Sequence, residues 1–313
     1  MNTIDLFSGC GGMSAGFQNA GFSILKAYEI WEPAIQTYKL NFEHPVVKQD
    51  ISNVKEVLTD LKKMDVDMVI GGPPCQDFSH AGKRIEGTQA DLTMAYAQII
   101  RNIKPKWFVM ENVDRAQKSL AYSRARSYFK EANYGLTEIV LDASKCGVPQ
   151  KRRRFFCIGK LEENDRFLES DLLSKLSFKP TTVRDFLGDE IKVEHYYRHP
   201  RNYNRRGVFS IDEPAPTIRG VNRPIPKGYP GHPKDTAPIT EKVRPLTTLE
   251  RARLQTFPKN FKWPATSKTT LEQMIGNAVP VKLAEFIGQT IKAYEKSEGK
   301  NNEPNYIKPI SVF

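Results

Sequence analysis

The sequence is poor in cysteine and histidine, and this scarcity excludes several classes of site. Its 313 residues include 4 cysteines and 5 histidines. The cysteines show no Cys-x-x-Cys spacing and stand at Cys10, Cys75, Cys146 and Cys157. The sequence therefore predicts neither a zinc site nor a disulfide framework, and we expect no metal. Unpaired thiols are typical of a reducing compartment.

Long apolar runs and targeting signals are missing as well. No stretch is long and apolar enough to span a bilayer, and the N-terminus shows no secretory pattern. We therefore expect an intracellular protein of the cytoplasm, without a membrane partner. The length suits one large domain with a smaller lobe, and no internal repeat or low-complexity tract is evident.

Acidic residues are outnumbered by basic ones. The chain holds 47 Lys and Arg against 36 Asp and Glu, a formal net charge of +11. Between residues 195 and 253 there are twelve basic and five acidic residues. Tyrosines are interleaved with these cations at Tyr196, Tyr197, Tyr203 and Tyr229. A basic segment is often only a solvated surface, but interleaved aromatic residues favour binding to a nucleic acid.

The pattern of apolar residues divides the chain. Residues 1 to about 160 alternate short apolar runs with helical patterns, which is typical of a parallel sheet built from βαβ units. The predicted strands cover residues 3–7, 24–28, 46–47, 67–70, 107–110 and 155–159. The predicted helices begin near residue 14, cover 32–41, 90–102 and 119–132, and return at the capping box Thr247-x-x-Glu250 and at Pro280. Residues 161–264 lose this alternation and are expected to be rich in loops.

A cysteine directly after a Pro-Pro pair is the most informative local feature. In Gly72-Pro73-Pro74-Cys75-Gln76 the prolines fix the backbone and remove two N–H donors, so the thiol follows strand 67–70 on a rigid turn. Ligands bind at the carboxyl ends of strands in open α/β sheets. Most cysteines are small buried hydrophobes. One presented at this edge is a candidate nucleophile, provided that a neighbour acidifies it or activates its substrate.

Two segments supply such neighbours. Strand 107–110 ends in Glu111-Asn112-Val113, and Gln150-Lys151-Arg152-Arg153-Arg154 precedes the apolar run 155–159. A carboxylate and a cluster of guanidinium groups thus lie at strand edges of one sheet. Each has a structural alternative, a solvated acid for Glu111 and a surface charge run for the arginines. The combination indicates a site better than either segment alone.

The N-terminus offers a ligand-binding turn. Ser8-Gly9-Cys10-Gly11-Gly12 joins the first strand to the first helix, and glycines at such a turn let the backbone approach a ligand. The spacing is not the dinucleotide-binding G-x-G-x-x-G, and the turn lacks the Lys of a P-loop, which leaves a small adenosine-type ligand open. Glu29 and Asp50 end the next two strands, where an acid can bind ribose hydroxyls.

Taken in order, these segments resemble the cytosine carbon-5 DNA methyltransferase family of bacterial restriction-modification systems, over almost the whole chain. The resemblance is carried by Asp5-Leu6-Phe7-Ser8-Gly9-Cys10-Gly11-Gly12, Gly72-Pro73-Pro74-Cys75-Gln76, Glu111-Asn112-Val113, Gln150-x-Arg152-x-Arg154, Arg244-Pro245-Leu246-Thr247 through Phe257-Pro258, and Gly276-Asn277-Ala278-Val279-Pro280. It implies an α/β, Rossmann-like methyltransferase with a mostly parallel sheet and a smaller loop-rich target-recognition domain. The implied division is 1–165 for catalysis and cofactor binding, 166–264 for target recognition, and 265–313 for helices that return to the catalytic domain.

The resemblance implies S-adenosyl-L-methionine as the cofactor. Its contacts are expected in the Gly-rich turn, after the second and third strands, at the Pro-Pro turn and in the last motif. These residues are Asp5, Phe7, Gly9, Cys10, Gly11, Gly12, Glu29, Ile30, Asp50, Ile51, Gly72, Pro74, Asn277 and Ala278.

The resemblance also implies a mechanism. Carbon 5 of cytosine is a poor nucleophile, and attack of the Cys75 thiolate on carbon 6 activates it. A protonated Glu111 would protonate ring nitrogen 3 or donate a hydrogen bond to it. Arg152 or Arg154 would hold the base oxygen and the neighbouring phosphate. Asn112 is expected to orient the Pro-Cys loop. The sequence does not identify the base that removes the carbon-5 proton.

DNA contacts are expected in two places. Because carbon 6 is hidden in a duplex, the cytosine must be flipped out. Residues 76–89 have the character of a mobile loop that closes over it, with Gln76 or Ser79 filling the space left in the stack. Target recognition is expected in the Pro-rich lobe, where Thr217-Ile218 resembles a dipeptide of the family's recognition regions. The candidates there are Arg205, Arg206, Thr217, Ile218, Arg219 and Arg223.

The implied partners are double-stranded DNA and, functionally, a cognate restriction endonuclease. The protein is expected to act as a monomer in the bacterial cytoplasm, associated with the nucleoid. Two alternatives are open: a transfer-RNA cytosine-5 methyltransferase and a DNA-binding homologue without catalysis. The basic Pro-rich lobe favours DNA over transfer RNA. The presence of Cys75, Glu111 and Arg154 argues against lost catalysis.

Overall fold

The computed structural model describes residues 1–74 and 91–301, with the side chains of 91 and 298–301 left aside. Cys75, Gln76, Ser79 and the loop predicted for residues 76–89 therefore lie outside the described residues. The architecture below is that of the described part.

A seven-stranded sheet forms the centre of the molecule. Its strands are β1 (Asn2–Leu6), β2 (Ser23–Glu29), β3 (Val46–Lys48), β4 (Met68–Gly71), β5 (Trp107–Val113), β6 (Tyr134–Asp142) and β8 (Arg153–Leu161). They lie in the order β3-β2-β1-β4-β5-β8-β6. The first five are mutually parallel, and β8 runs antiparallel to both of its neighbours. The predicted mostly parallel α/β sheet is confirmed.

Helices cover both faces of this sheet. The helices of the described residues are α1 (Gly12–Asn19), α2 (Glu32–Asn41), α3 (Val54–Leu61), α4 (Asp91–Ile103), α5 (Leu120–Glu131), α6 (Glu169–Ser174), α7 (Val183–Leu187), α8 (Thr248–Leu254), α9 (Lys268–Asn277) and α10 (Val281–Asn301). One core packs α3, α4 and α5 against the sheet, and a second packs α1, α6 and α10 against the opposite face. The C-terminal helix thus returns to the central sheet. Because Leu168 and Leu172 are buried in the second core, α6 belongs with that sheet as well. Helices α7, α8 and α9 contribute to a third hydrophobic core.

The strands in the segment between α6 and α9 are all short. These are β9 (His195–Tyr197), β10 (Val208–Ser210), β11 (Ala215–Pro216) and β12 (Arg244–Pro245). The first, second and last form a three-stranded sheet, while β11 pairs with β7 (Gln150–Lys151). The lobe is therefore joined by backbone pairing to the segment that precedes β8. Its loop-rich character agrees with the density of prolines in the sequence.

Two features of the sheet were not expected from the sequence. Strand β6 was not predicted, because its burial follows no clean alternation along the strand. Strand β5 continues three residues beyond the predicted end at Met110. Its pairing with the antiparallel β8 carries the ladder through Val113, which lies opposite Arg154. Glu111 and Asn112 therefore lie within the last residue pairs of the β5–β8 ladder rather than after the end of β5.

Candidate active site

The register of the sheet brings the candidate residues to one edge. Leu6 pairs with Tyr28 on one side and with Gly71 on the other, and Gly71 pairs with Met110. The turns after β1, β2, β4 and β5 consequently open on the same side. Since β8 runs in the opposite direction, its first residues lie at this edge too. The crevice between β1 and β4, where the strand order reverses, is the usual ligand site of such sheets.

Glu111 and Arg154 form an ion pair at this edge. Arg154 Nε lies 2.9 Å from Glu111 Oε1, and both side chains are largely buried. Burial raises the pKa of Glu111, and the opposing effects of Arg154 and Arg152 are smaller. A paired carboxyl group whose pKa is nevertheless raised is suited to donate a proton or a hydrogen bond to a buried base.

The Pro-Pro turn is held against this pair. Asn112 Nδ2 donates a hydrogen bond of 3.0 Å to the carbonyl oxygen of Pro73, and its Oδ1 accepts one from the N–H of Val113. A Cβ atom at Gly72 would lie 3.1 Å from Glu111 Oε2. Gly72 thus allows the carboxyl group to approach the turn closely. The turn that leads to Cys75 is therefore fixed beside Glu111.

Arg152 has a different environment from Arg154. It is 1% exposed, and it donates to the carbonyl oxygens of Ile218, Gly276 and Ala278 at 3.0–3.1 Å. These acceptors belong to the lobe and to the segment before α10. The guanidinium group of Arg152 therefore ties the lobe and the segment before α10 to the start of β8. Of the two arginines left open by the sequence, Arg154 is the one beside Glu111.

Gln150 extends the same internal connection. Its amide nitrogen donates to Gln255 Oε1 at 2.8 Å, and its amide oxygen accepts from the N–H of Ile218 at 2.8 Å. Gln255 in turn donates to the carbonyl oxygens of Ile275 and Ala278. Both glutamines are fully buried. This network fixes the start of β8, and with it the position of Arg154.

Three of the four cysteines are unsuited to nucleophilic chemistry. Cys10, Cys146 and Cys157 are buried and unpaired. Burial raises the pKa of each thiol to about 12. Because the thiolate is the reactive form, these residues are inert at neutral pH. Cys75, which lies outside the described residues, is the remaining candidate.

The turn after β1 has an unusual backbone. Gly9 and Gly11 adopt φ angles of 54° and 95°, and Phe7 adopts 60°. A positive φ suits glycine but strains phenylalanine, and such strain is concentrated at functional sites. No atom lies within 4 Å of a Cβ built at Gly9, so the turn is open there. The turn after β1 therefore combines a strained residue with open space at its surface, which makes it a candidate ligand site.

Glu29 anchors this turn. Its Oε2 accepts from the N–H of Gly9 at 2.7 Å, and its Oε1 accepts from the N–H groups of Ile30 and Trp31 at 2.8 Å. A carboxylate has about four acceptor positions, so capacity for a ligand hydroxyl remains. Asp50 is exposed beyond β3, where Oδ1 accepts from the N–H of Ser52 at 2.9 Å.

The residues present fit an adenosine-type ligand in part through polar atoms that no protein group satisfies. Among the described residues, Ser8 Oγ and Asp5 Oδ1 are buried without a hydrogen-bond partner. Pro74, Ile30 and Asn277 are exposed, and Gly72, Phe7 and Ala278 are partly exposed. The exposed and partly exposed residues are available to a ligand in this crevice.

Four of the residues expected to contact the cofactor have buried side chains or close backbone packing, and their contact with a cofactor stays a prediction. Cys10 and Ile51 lie in hydrophobic cores at 2% and 3% exposure. Asp5 is 1% exposed beneath the turn. A Cβ at Gly12 would lie 2.2 Å from the carbonyl oxygen of Val279, so this glycine packs against the segment before α10. The side chains of Cys10, Ile51 and Asp5 are thus enclosed by the protein.

In the lobe, the structure separates the arginines into two groups. Arg206, Arg244, Arg251 and Arg253 form ion pairs with Glu213, Glu250, Glu272 and Glu190. A second group consists of Arg219 and the arginines near it, none of which has a carboxylate partner among the described residues. Its members are Arg198, Arg201, Arg205, Arg219 and Arg223. We call these five residues the arginine cluster.

The arginine cluster carries uncompensated positive charge. Arg198 donates to the carbonyl oxygen of Thr217, and Arg219 to that of His199. Burial and then the charge of Arg219 lower the pKa of Arg198 to about 10. Arg201, Arg205 and Arg223 are exposed. Arg198 and Arg201 were not among the sequence candidates, although they contribute to the basic surplus of residues 195–253.

Three sequence candidates for DNA contact have side chains engaged within the protein, and their contact with DNA stays a prediction. Ile218 is 5% exposed and lies in the core of the lobe. Thr217 Oγ1 donates to the carbonyl oxygen of Lys151 at 2.7 Å. Arg206 pairs with Glu213 and stacks over the ring of Phe209. The first two join the lobe to β7, because β11 immediately precedes them.

The described residues contain neither a cluster of metal-ligating side chains nor a membrane-spanning helix. No group of three or more metal-ligating side chains was found in residues 1–74 and 91–301. No helix in that part of the chain has the length and apolar character needed to cross a membrane.

Comparison with known proteins gives a consistent result. The sequence model of the C-5 cytosine-specific DNA methylases matches residues 1–293. The Type II methyltransferase M.HindV of Haemophilus influenzae is 58% identical over 298 residues, covering 95% of this chain and 98% of that protein. M.HgiDI of Herpetosiphon aurantiacus, also a Type II methyltransferase, is 50% identical and covers 94% and 95%. A crystal structure of Spodoptera frugiperda DNMT2 superimposes with a TM-score of 0.70 over 93% of this chain and 99% of that chain, at 19% identity. The last similarity concerns the fold alone.

Proposed function

The chain belongs to the C-5 cytosine-specific DNA methylases, and on that premise we propose how its own residues carry out the reaction. The central observation is the buried Glu111–Arg154 pair beside the Pro-Pro turn. A carboxyl group with a raised pKa next to the turn that bears Cys75 matches the needs of carbon-5 alkylation.

We assign the nucleophile to Cys75. Its thiolate forms a bond to carbon 6 of the flipped cytosine, and the electron pair of the 5,6 double bond becomes available at carbon 5. Glu111 donates its proton to ring nitrogen 3 as this charge develops. Arg154 holds the base oxygen and keeps the Glu111 carboxyl in place. After methyl transfer, the carbon-5 proton leaves to a base, and the thiolate departs as the 5,6 double bond forms again. Ring nitrogen 3 returns its proton to Glu111, which restores both the ring and the enzyme.

We propose S-adenosyl-L-methionine as the methyl donor. It supplies an electrophilic methyl group on a positively charged sulfur. Glu29 has acceptor capacity for the ribose, Asp50 is exposed one strand further, and the open position at Gly9 allows close approach. Phe7, held at a strained φ, packs at the start of the turn. Membership of the family implies a methyl donor of some kind. The contacts and exposure of Glu29, Asp50 and Gly9 support S-adenosyl-L-methionine as that donor.

We propose that the arginine cluster, together with the exposed loops around it, binds double-stranded DNA. Arginines without carboxylate partners are available for phosphates and for guanine edges. The division at residues 165 and 264 stays a proposal. The burial of Leu168 and Leu172 against the catalytic sheet supports a first boundary beyond α6.

A cognate restriction endonuclease is the functional partner that we propose. Two relatives at 58% and 50% identity are named as Type II methyltransferases. These relatives also disfavour the transfer-RNA alternative. We also propose that the protein acts as a monomer in the cytoplasm, near the nucleoid. A DNA substrate and a thiolate nucleophile support this location.

Bisulfite sequencing tests this function directly. DNA from cells that express the protein is compared with DNA from cells that express Glu111→Ala. We expect one short sequence in which a single cytosine is protected only by the unaltered protein. Protection absent from DNA but present in transfer RNA of the same cells would favour the alternative substrate.

A further inference from the structure

A chain of hydrogen bonds links the buried carboxyl of Asp5 to a histidine near the surface. Ser14 Oγ donates to Asp5 Oδ2 at 2.6 Å, and it shares a second hydrogen bond of 2.6 Å with the hydroxyl of Tyr38. The same hydroxyl lies 2.6 Å from His44 Nε2. Asp5, Ser14 and Tyr38 are buried, whereas His44 is partly exposed. We call these four residues the Asp5 relay.

Because Asp5 Oδ1 has no partner among the described residues, a proton on Asp5 can be hydrogen-bonded only at Oδ2, and the relay then has two arrangements of protons. Each hydroxyl can donate once. If Asp5 is ionised, Ser14 donates to it, Tyr38 donates to Ser14, and His44 Nε2 must carry a proton. If Asp5 is protonated and donates to Ser14, every bond reverses and His44 Nε2 must be the acceptor. The tautomer of His44 and the charge of Asp5 are therefore coupled.

The relay lies directly under the ligand-binding turn. Asp5 stands two residues before Phe7, and its Oδ1 is buried without a partner among the described residues. A Cβ at Gly11 would lie 3.1 Å from the ring of Tyr38. The relay thus touches the turn both at the end of β1 and at Gly11.

The charged and titratable groups around Asp5 are few. Glu29 at the end of β2 is the nearest acid, Tyr38 approaches from α2, and Tyr96 from α4. Burial and the charge of Glu29 raise the pKa of Asp5 to about 7, against the effect of the Ser14 hydrogen bond. Burial lowers the pKa of His44. Near neutral pH the imidazole is consequently uncharged and its tautomer can follow Asp5.

We propose that Ser14, Tyr38 and His44 transmit protonation between the surface and Asp5, and that the charge of Asp5 tunes the affinity of the turn for a positively charged methyl donor. The inference rests on the donor proposed above. An ionised Asp5 attracts a sulfonium ion, and a protonated Asp5 does not. Affinity for the donor then rises with pH through the transition of Asp5. The four residues act as positioning residues, not as catalytic ones.

Nitrogen NMR of the histidine side chains tests the relay without donor or DNA. In the unliganded protein, the His44 signal is assigned with His44→Gln and followed from pH 5.5 to 8.5. We expect the proton to move from Nδ1 to Nε2 as pH rises, and Tyr38→Phe to abolish this change. His232→Gln, which alters a histidine outside the relay, serves as the control. A His44 tautomer that stays constant over this range overturns the proposal.

Calorimetry tests the consequence for binding. S-adenosylmethionine and S-adenosylhomocysteine share the same amino-acid and nucleoside groups but differ in the charge on sulfur. We expect the ratio of their affinities to change in favour of the charged ligand by about 3- to 30-fold between pH 6 and 8. This is the effect that Coulomb's law gives one charge at a distance of about 8 to 25 Å and an effective dielectric constant of about 20. Asp5→Asn should make the ratio independent of pH.

The two proposals fail in different ways. A ratio that does not change with pH in the unaltered protein overturns the inference while leaving the donor intact. If neither ligand binds, the proposed donor is wrong, and the NMR titration still decides whether the relay operates.

Discussion

Glu111 Oε1 lies 2.9 Å from Arg154 Nε, across the ladder that joins β5 to the antiparallel β8. The pair combines two opposing influences on one carboxyl group. Arg154 favours the ionised form of Glu111, whereas burial disfavours it and dominates, so its pKa is raised. The pair can therefore hold a proton for transfer while keeping a fixed geometry.

The pH dependence of catalysis should report this proton. Because the pKa of Glu111 is raised and the protonated form is the active one, kcat should fall as pH rises through that pKa. Glu111→Gln keeps the shape of the side chain but cannot transfer a proton, so we expect a loss of about 10²- to 10⁴-fold and no falling limb. The measurement is the pH profile of single-turnover methylation.

Glu190→Gln is the matched control, since Glu190 is an ion-paired carboxylate in the lobe. It should leave the profile unchanged. A Glu111→Gln profile that keeps the alkaline limb would assign that limb to another group.

The two arginines of the Gln-x-Arg-x-Arg segment should separate stability from catalysis. Arg152→Met removes three hydrogen bonds to carbonyl oxygens, and we expect the free energy of unfolding to fall by at least about 1.5–3 kcal/mol, the contribution of one such bond to a charged group. Arg154→Met should cost less stability, because Glu111 can take up a proton, but it should lower kcat strongly. Denaturant titration and single-turnover rates give both quantities. Equal losses of stability in the two variants would contradict this division.

Cofactor binding should depend more on Glu29 than on Asp50. Glu29 accepts hydrogen bonds from three backbone N–H groups and has one acceptor position left for the proposed ligand, so Glu29→Ala should remove a contact and loosen the turn. We expect a loss of about 1–3 kcal/mol in affinity for S-adenosylmethionine in each variant, at the upper end for Glu29. Calorimetry without DNA measures it. Unchanged affinity in both variants would refute the proposed cofactor site.

The arginine cluster should sort into base-reading and phosphate-binding residues. Single replacements of Arg198, Arg201, Arg205, Arg219 and Arg223 are tested on one-base variants of the mapped site. Loss of a base reader should relax the preference at one position by about 1–3 kcal/mol. Loss of a phosphate contact should weaken all sequences and reduce the salt slope by about one unit.

Arg206→Ala is the control for this series. Its guanidinium group is engaged by Glu213, so its replacement should change affinity less than that of the cluster residues. Five cluster variants that bind DNA like the unaltered protein would place recognition elsewhere in the lobe.

The sequence predicted the local elements better than the long-range contacts. The helix expected at residues 32–41 is α2, and the capping box at Thr247 and Glu250 begins α8. Both signals are local in the sequence. The different roles of Arg152 and Arg154 could not be predicted, because the acceptors of Arg152 lie 66 to 126 residues away. The pairing of Arg154 with Glu111 likewise depends on the reversed direction of β8, which no local pattern indicates.

The same limit applies to the lobe. Thr217 and Ile218 matched a family dipeptide, but their positions beside β7 depend on Gln150 and Lys151, far away in the chain. Counting charges located the basic segment. Only the fold shows which arginines lack a carboxylate partner among the described residues.

Trapping of a covalent complex tests the central claim most directly. Duplex DNA carrying 5-fluorocytosine at the mapped target is incubated with S-adenosylmethionine and the protein, and the products are separated under denaturing conditions. Since fluorine cannot leave as a proton does, the adduct through Cys75 should accumulate with the unaltered protein and with Cys146→Ser, whose thiol is buried. It should be absent with Cys75→Ser, which should still bind the duplex. An adduct that forms with Cys75→Ser, or none with a protein that methylates ordinary DNA, would contradict the account.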